Sequence, residues 1–244
     1  MIFDEITYPM ILLGAAFNLA EFNLNALILG AAVFAFGYVL YFTGKIGGGD
    51  VKLFTGITLL VPFVNESIFI LNVFLASIFV SIIFISTNFF LKYAKKGIKI
   101  PENHESIKKA VILAAIIAAY FSIGISSGIF SQEFVLFAGI PAIFALVFIS
   151  LEQGIKKHFF LQKIPVEKLE EDDIIAQEFL DKKTNKELNL AFKGIIDKKV
   201  QQKLIELKVL KVPVYRNLPK FAPFILIGVI ISIFFPELIK MIVP

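Results

Sequence analysis

The sequence predicts an all-α membrane protein, a polytopic helical bundle of about seven hydrophobic segments, some of them short, with a small cytoplasmic insertion. Three observations predict it. Of the 244 residues, 57% are hydrophobic and 28 are Phe, and the mean hydropathy is +0.82, a composition suited to long apolar spans rather than a soluble core. The apolar residues gather into runs at 9–20, 26–43, 51–63, 68–91, 110–130, 134–151 and 222–242. Finally, 23 of the 24 Lys and Arg fall in or beside alternate gaps: Lys45 and Lys52 flank 44–50, six lysines lie in 92–109 and fifteen basic residues in 152–221, with Lys240 the exception. Basic loops stay on the cytoplasmic face, so these gaps are expected there and the gaps at 21–25, 64–67 and 131–133 on the other side. The topology accounts for the net charge of +4, which makes membrane lipid the expected surroundings and leaves nucleic-acid binding unneeded.

The first run is preceded by Asp4-Glu5-Ile6-Thr7-Tyr8-Pro9, where Thr7 reads as a cap and Pro9 as the first helical residue. The acidic opening is not the basic start of a secretory signal peptide, so none is expected. Runs 9–20 and 51–63 are short for a span, about 18 and 20 Å at 1.5 Å per residue against roughly 30 Å of hydrocarbon. A short helix beginning at Asp50 would start below the cytoplasmic boundary, in a cleft that water reaches; local membrane thinning is the alternative. The remaining runs are long enough to cross.

Residues 152–221 are of another composition, rich in Lys, Glu, Asp and Gln. The sequence thus divides into a membrane core, 1–151, a cytoplasmic segment, 152–221, and a last span, 222–244. Within the segment, Thr184-Asn185-Lys186-Glu187 has capping-box spacing, and Leu188, Phe192, Ile196, Val200, Leu204 and Leu207 follow at helical intervals. Gly194 and Asp197 equally suit the end of one helix and the cap of a second starting near Lys198. Amphipathic packing is the expected role, substrate recognition the alternative. Pro213, Pro219 and Pro223 punctuate the return to the last span, which Pro236 kinks or ends.

The chain contains no Cys, which excludes disulfides, thiol nucleophiles and thiolate metal sites, and its two histidines, His104 and His158, stand far apart in Lys-rich segments. Neither a metal nor another cofactor is expected. Glu21, Glu66 and Glu133 lie in the short opposite loops and read as solvated charges.

The informative feature is Gly47-Gly48-Gly49-Asp50, a carboxylate behind three glycines between two apolar runs. An acid at membrane depth costs several kcal/mol unless solvated or paired, and is a functional-site candidate for that reason. Glycines beside it permit non-helical backbone and the close approach of an extended peptide. Lys52, two residues on, does not share a helical face with Asp50 and reads as a side chain reaching the interface.

Ile46-Gly47-Gly48-Gly49-Asp50-Val51-Lys52-Leu53-Phe54 resembles the GxGD motif of the type IV prepilin peptidases, including the preflagellin (prearchaellin) peptidases. Asp4 to Pro9 with Met10-Ile11-Leu12-Leu13-Gly14, Val166 to Asp173, and Val214-Tyr215-Arg216-Asn217-Leu218-Pro219 are similar to the flanking segments of the archaeal branch. The resemblance implies an aspartyl endopeptidase that removes the leader of pilin-like or archaellin precursors at the cytoplasmic face. Asp50 takes the place of the second catalytic aspartate, and Gly47, Gly48 and Gly49 the backbone beside the substrate. The family's first catalytic aspartate stands several residues before the segment matched by Asp4–Pro9. That sets three expectations: a natural start upstream with a further helix, a degenerate relative, or Asp4 in the role. The competing functions are a peptidase-like scaffold without activity and a small transporter or channel component with a helix broken at Gly47–Gly49.

Overall fold

The computed structural model describes residues 4–43, 46–65, 67–170, 173–181, 188, 196, 198–207, 209–236 and 238. All seven apolar runs are helices: α1 (Asp4–Ala20), α2 (Leu24–Phe42), α3 (Gly48–Leu60), α4 (Phe69–Lys96), α5 (His104–Ser126), α6 (Gln132–Ser150) and, beyond the insertion, α9 (Ala222–Phe234). The protein is an all-α polytopic membrane protein. Helices α2, α4 and α5 are each long and apolar enough to cross a membrane, while α6 and its continuation meet that measure together, across a bend of 63°. Most of the residues of α2 and α5 are exposed, and the exposed ones are largely apolar, as a lipid-facing surface requires.

Small residues decide how α1, α2 and α3 pack. A Cβ on Gly14 of α1 would meet Leu59 Cβ at 2.7 Å, and one on Gly30 or Gly37 of α2 would meet Leu59 or Val51 of α3. This register sets α1 parallel and α2 antiparallel to α3. Buried Asn18 completes the first seam, its Nδ2 donating to Gly14 O at 2.7 Å and Leu59 O at 2.6 Å. A two-strand hairpin, β1 (Phe63–Val64) and β2 (Ser67–Ile68), turns α3 into α4. From it α3 extends about 20 Å and the 28-residue α4 about 42 Å, so the glycine end of α3 reaches only half as far. Ring pairs Phe79–Phe137 and Phe89–Phe148 set α6 parallel to α4. On α9, Gly228 lies where a Cβ would strike Ser77 Oγ and come within 2.7 Å of Val73 O. Asn72 reaches past the end of α9 to donate to Pro236 O, and α9 stops at Phe234 as the proline predicts.

The insertion is not purely helical. After α7 (Glu152–Ile155) and a π turn at Lys156–Phe160, the strands β3 (Leu161–Pro165), β4 (Ile174–Ile175) and β5 (Lys211–Tyr215) form an antiparallel sheet in the order β3-β5-β4. Helix α8 (Lys198–Glu206) begins at the second of the two starts the sequence allowed, and its Leu204 is buried with Ile164, Val166, Leu188, Ile196, Val212 and Val214. The proposed capping box, Phe192, Gly194 and Asp197 lie outside the described residues, as do Glu66, Lys182 and Lys240. Pro213, read from sequence as punctuation, sits inside the central strand opposite Lys163. It is tolerated because its carbonyl accepts from Ala176 N at 2.9 Å, and its missing N–H faces that same edge, where β4 ends.

Candidate active site

Asp50 is the third residue of α3, with Gly47 as N-cap in an extended conformation. The Asp50 and Val51 amides donate to Gly47 O at 3.0 and 3.3 Å, closing the first turn. The carboxylate turns back over this turn: a Cβ on Gly47 would lie 3.3 Å from Asp50 Oδ2. Gly48 is hemmed by the ring of Tyr41, 3.4 Å from where its Cβ would be. Gly47 is exposed, whereas Gly48, Gly49 and Asp50 are half-buried. Among the described residues no cation or hydrogen-bond donor engages the Asp50 side chain. A half-buried carboxylate at a helix N-terminus that no described side chain engages is a candidate for proton chemistry.

Asp4 and Asp50 open two parallel helices and so stand at the same end of the bundle. Asp4, however, is engaged: Lys52 Nζ lies 2.7 Å from its Oδ1, with the Asp4 side chain 60% exposed. Lys52 also sits over the Tyr8 ring, 4.5 Å from its centroid. The sequence reading of Lys52 as a side chain merely reaching the interface is therefore corrected, since its ammonium bridges α1 and α3. The cap assigned to Thr7 is also corrected. Helix α1 is already helical at Asp4, and Thr7 is a fully buried interior residue whose hydroxyl has no hydrogen-bond partner among the described residues.

Beside the glycine turn lies an apolar cavity of about 290 Å³, bounded by Phe36, Gly37 and Leu40 of α2, Val51 and Phe54 of α3, Ile70 and Phe74 of α4, and Ile46 immediately before Gly47. The motif thus borders a space with almost no polar lining. Among the described residues no three His, Asp or Glu side chains converge as a metal site would need. Exposed Glu21 makes no contact with this end, and the Glu133 side chain lies outside the description.

Two of the other segments quoted from the sequence meet in the insertion, which sequence spacing did not show. Arg216 binds Asp173 through Nε at 3.0 Å and Nη2 at 2.6 Å, and its Nη2 reaches Glu170 Oε1 at 3.3 Å. Burial would raise the Asp173 pKa, but the guanidinium and the Glu170 N–H outweigh it and hold the carboxyl below its ordinary value. Next to it, Tyr215 donates to Glu178, and burial together with that carboxylate pushes the Tyr215 hydroxyl pKa up.

Residues 1–85 match the type IV leader peptidase family. The prepilin peptidase EppA of Methanothermobacter thermautotrophicus is 38% identical over 68 residues, which cover 25% of this chain and 18% of that protein. The chain therefore spans under a fifth of the length of this curated relative. No solved structure matches it. The matched stretch contains α1, α2, α3 and most of α4, hence Asp4, the glycine turn, Asp50 and Lys52, and ends before the insertion. Over residues 1–85 the chain is similar to the type IV leader peptidase family.

Proposed function

We propose that the protein is an intramembrane-type aspartyl endopeptidase that removes the leader from type IV pilin-like or archaellin precursors at the cytoplasmic membrane face, with Asp50 as a catalytic carboxyl. The observation that carries this reading is Asp50 itself: a half-buried carboxylate with no ion-pair partner among the described residues, behind three glycines, in the stretch that matches the leader peptidases. Peptide hydrolysis needs one carboxylate to take a proton from water and one protonated carboxyl to polarise the scissile carbonyl, and two close carboxyls share the proton for this purpose. Gly47 and Gly49 leave room for an extended peptide to approach the acid, and the cavity lined by Ile46, Val51 and Phe54 receives apolar residues next to the scissile bond.

The second carboxyl is the open element. Asp4 stands at the correct end, but its Oδ1 is engaged by Lys52 Nζ at 2.7 Å. The test places the protein in lipid bilayers with a prepilin-like precursor: the leader is expected to be cut, and Asp50→Asn is expected to abolish cleavage while inserting normally. Full processing by Asp50→Asn would overturn the assignment.

A further inference from the structure

The seam between α1 and α3 is secured differently at its two ends. Away from Asp50 it is sealed by close packing and buried hydrogen bonds: Gly14 against Leu59, Met10 against Gly56, and the Asn18 amide on Leu59 O. Toward Asp50, Thr7 is buried but bonds to nothing among the described residues. An unbonded buried hydroxyl is unfavourable and adds nothing to fix the register. Among the described residues, the side-chain polar contact between the helices there is made by Lys52. Lys52, two residues after Asp50, spans 48 positions of sequence to bind Asp4 at 2.7 Å and covers the Tyr8 ring at 4.5 Å.

We propose that Lys52 is a positioning residue, which fastens the first two turns of α1 to the first turn of α3 through Asp4 and Tyr8 and so sets where the start of α1 stands relative to Asp50. The inference rests on the reading of Asp50 as a catalytic carboxyl. Lys52 acts on the geometry and not as the counter-ion of Asp50, because its ammonium is engaged elsewhere and residues two apart on a helix point away from one another. A catalytic pair must be held within roughly 0.5 Å, and a displacement of about 1 Å can cost about a hundredfold in rate. Any group delivered by the start of α1 depends on this anchor, and so does the width of the cleft.

The experiment uses the protein in bilayers with a prepilin-like precursor. Lys52→Met is expected to lower kcat about tenfold or more with KM changed less than about twofold, and Lys52→Arg, which can both pair with Asp4 and stack on Tyr8, to recover most of the rate. Asp4→Asn should give a loss like that of Lys52→Met, and the double variant no more than either single one, because both changes break one contact. Amide hydrogen exchange over residues 4–10 should speed up in Lys52→Met, a readout independent of cleavage. Additive losses, unchanged exchange or an unaffected kcat would overturn the proposal. Asp4→Asn as inactive as Asp50→Asn would also overturn it, by making Asp4 a catalytic acid. Cleavage by Asp50→Asn would instead sink the reading beneath it, whereas a dead Asp50→Asn beside an unaffected Lys52→Met would sink the anchor alone.

Discussion

The backbone N–H of Gly154 donates to Oδ1 of Asn103 at 2.9 Å across 51 residues of sequence, tying the bent end of α6 to the turn that opens α5. The same Asn103, fully buried, donates to Tyr93 Oη at 3.1 Å and Lys99 O at 3.0 Å. A side chain at 154 would collide with Tyr93, so the joint admits only glycine. Asn103→Leu should cost about 1–3 kcal/mol for each buried group it strands and lower the melting temperature in detergent by several degrees. An unchanged melting curve would show that the joint is held by packing alone.

Acid should loosen the insertion before the bundle. The Asp173 pKa is depressed by Arg216 and the Glu170 N–H against the opposing effect of burial. The Glu178 pKa is likewise depressed by Tyr215 and Lys156, although burial works against it. A lowered folded-state pKa contributes stability that is fully present above the unfolded value, about 4 for these carboxyls, and is lost as pH falls through the lower folded value. Protection factors across 161–165 and 211–215, corrected for the intrinsic pH dependence of exchange, should hold steady from pH 7 to about 5 and fall below about pH 4. Arg216→Met should raise exchange at neutral pH and flatten this acid dependence; an equally steep dependence in that variant would exclude the pair as its source.

The contact between α4 and α9 is close enough that one methyl group matters. Gly228→Ala would press its Cβ against Ser77 Oγ and the Val73 carbonyl, and Ser77 is itself buried and bonded to Val73 O at 2.5 Å. Overpacking of this kind typically costs about 1–3 kcal/mol, and the helices must move apart to relieve it. Earlier thermal aggregation of Gly228→Ala than of the parent is the expected result, with Gly139→Ala, where a Cβ meets nothing within 4 Å, as the control.

The chain has no cysteine, so single cysteines can report topology without background. At positions 96 and 211 they should be shielded from an impermeant thiol reagent in intact cells and react after permeabilisation, since the basic residues gather at that end. Labelling from outside would reverse the orientation and remove the cytoplasmic assignment of the Asp50 end.

The amino-acid sequence by itself determined the membrane class and the seven helical segments, because hydropathy and charge asymmetry are local properties that need no knowledge of neighbours. It also located the start of α8 and the stop at Pro236 to within the choices it allowed. Tertiary structure alone decided the rest. The strands β3, β4 and β5 escaped notice because they are short, two contain a proline, and the pairing of β3 with β5 joins residues about fifty positions apart, such as Gln162 with Val214. Lys52 looked like a lysine seeking water until α1 brought Asp4 and Tyr8 to it, and Thr7 looked like a cap until the helix was found already formed at Asp4. A periodic pattern marks which face of a helix is buried, but a partner forty-eight residues away is chosen by how the helices pack, here by the glycines that let α1 and α2 close on α3.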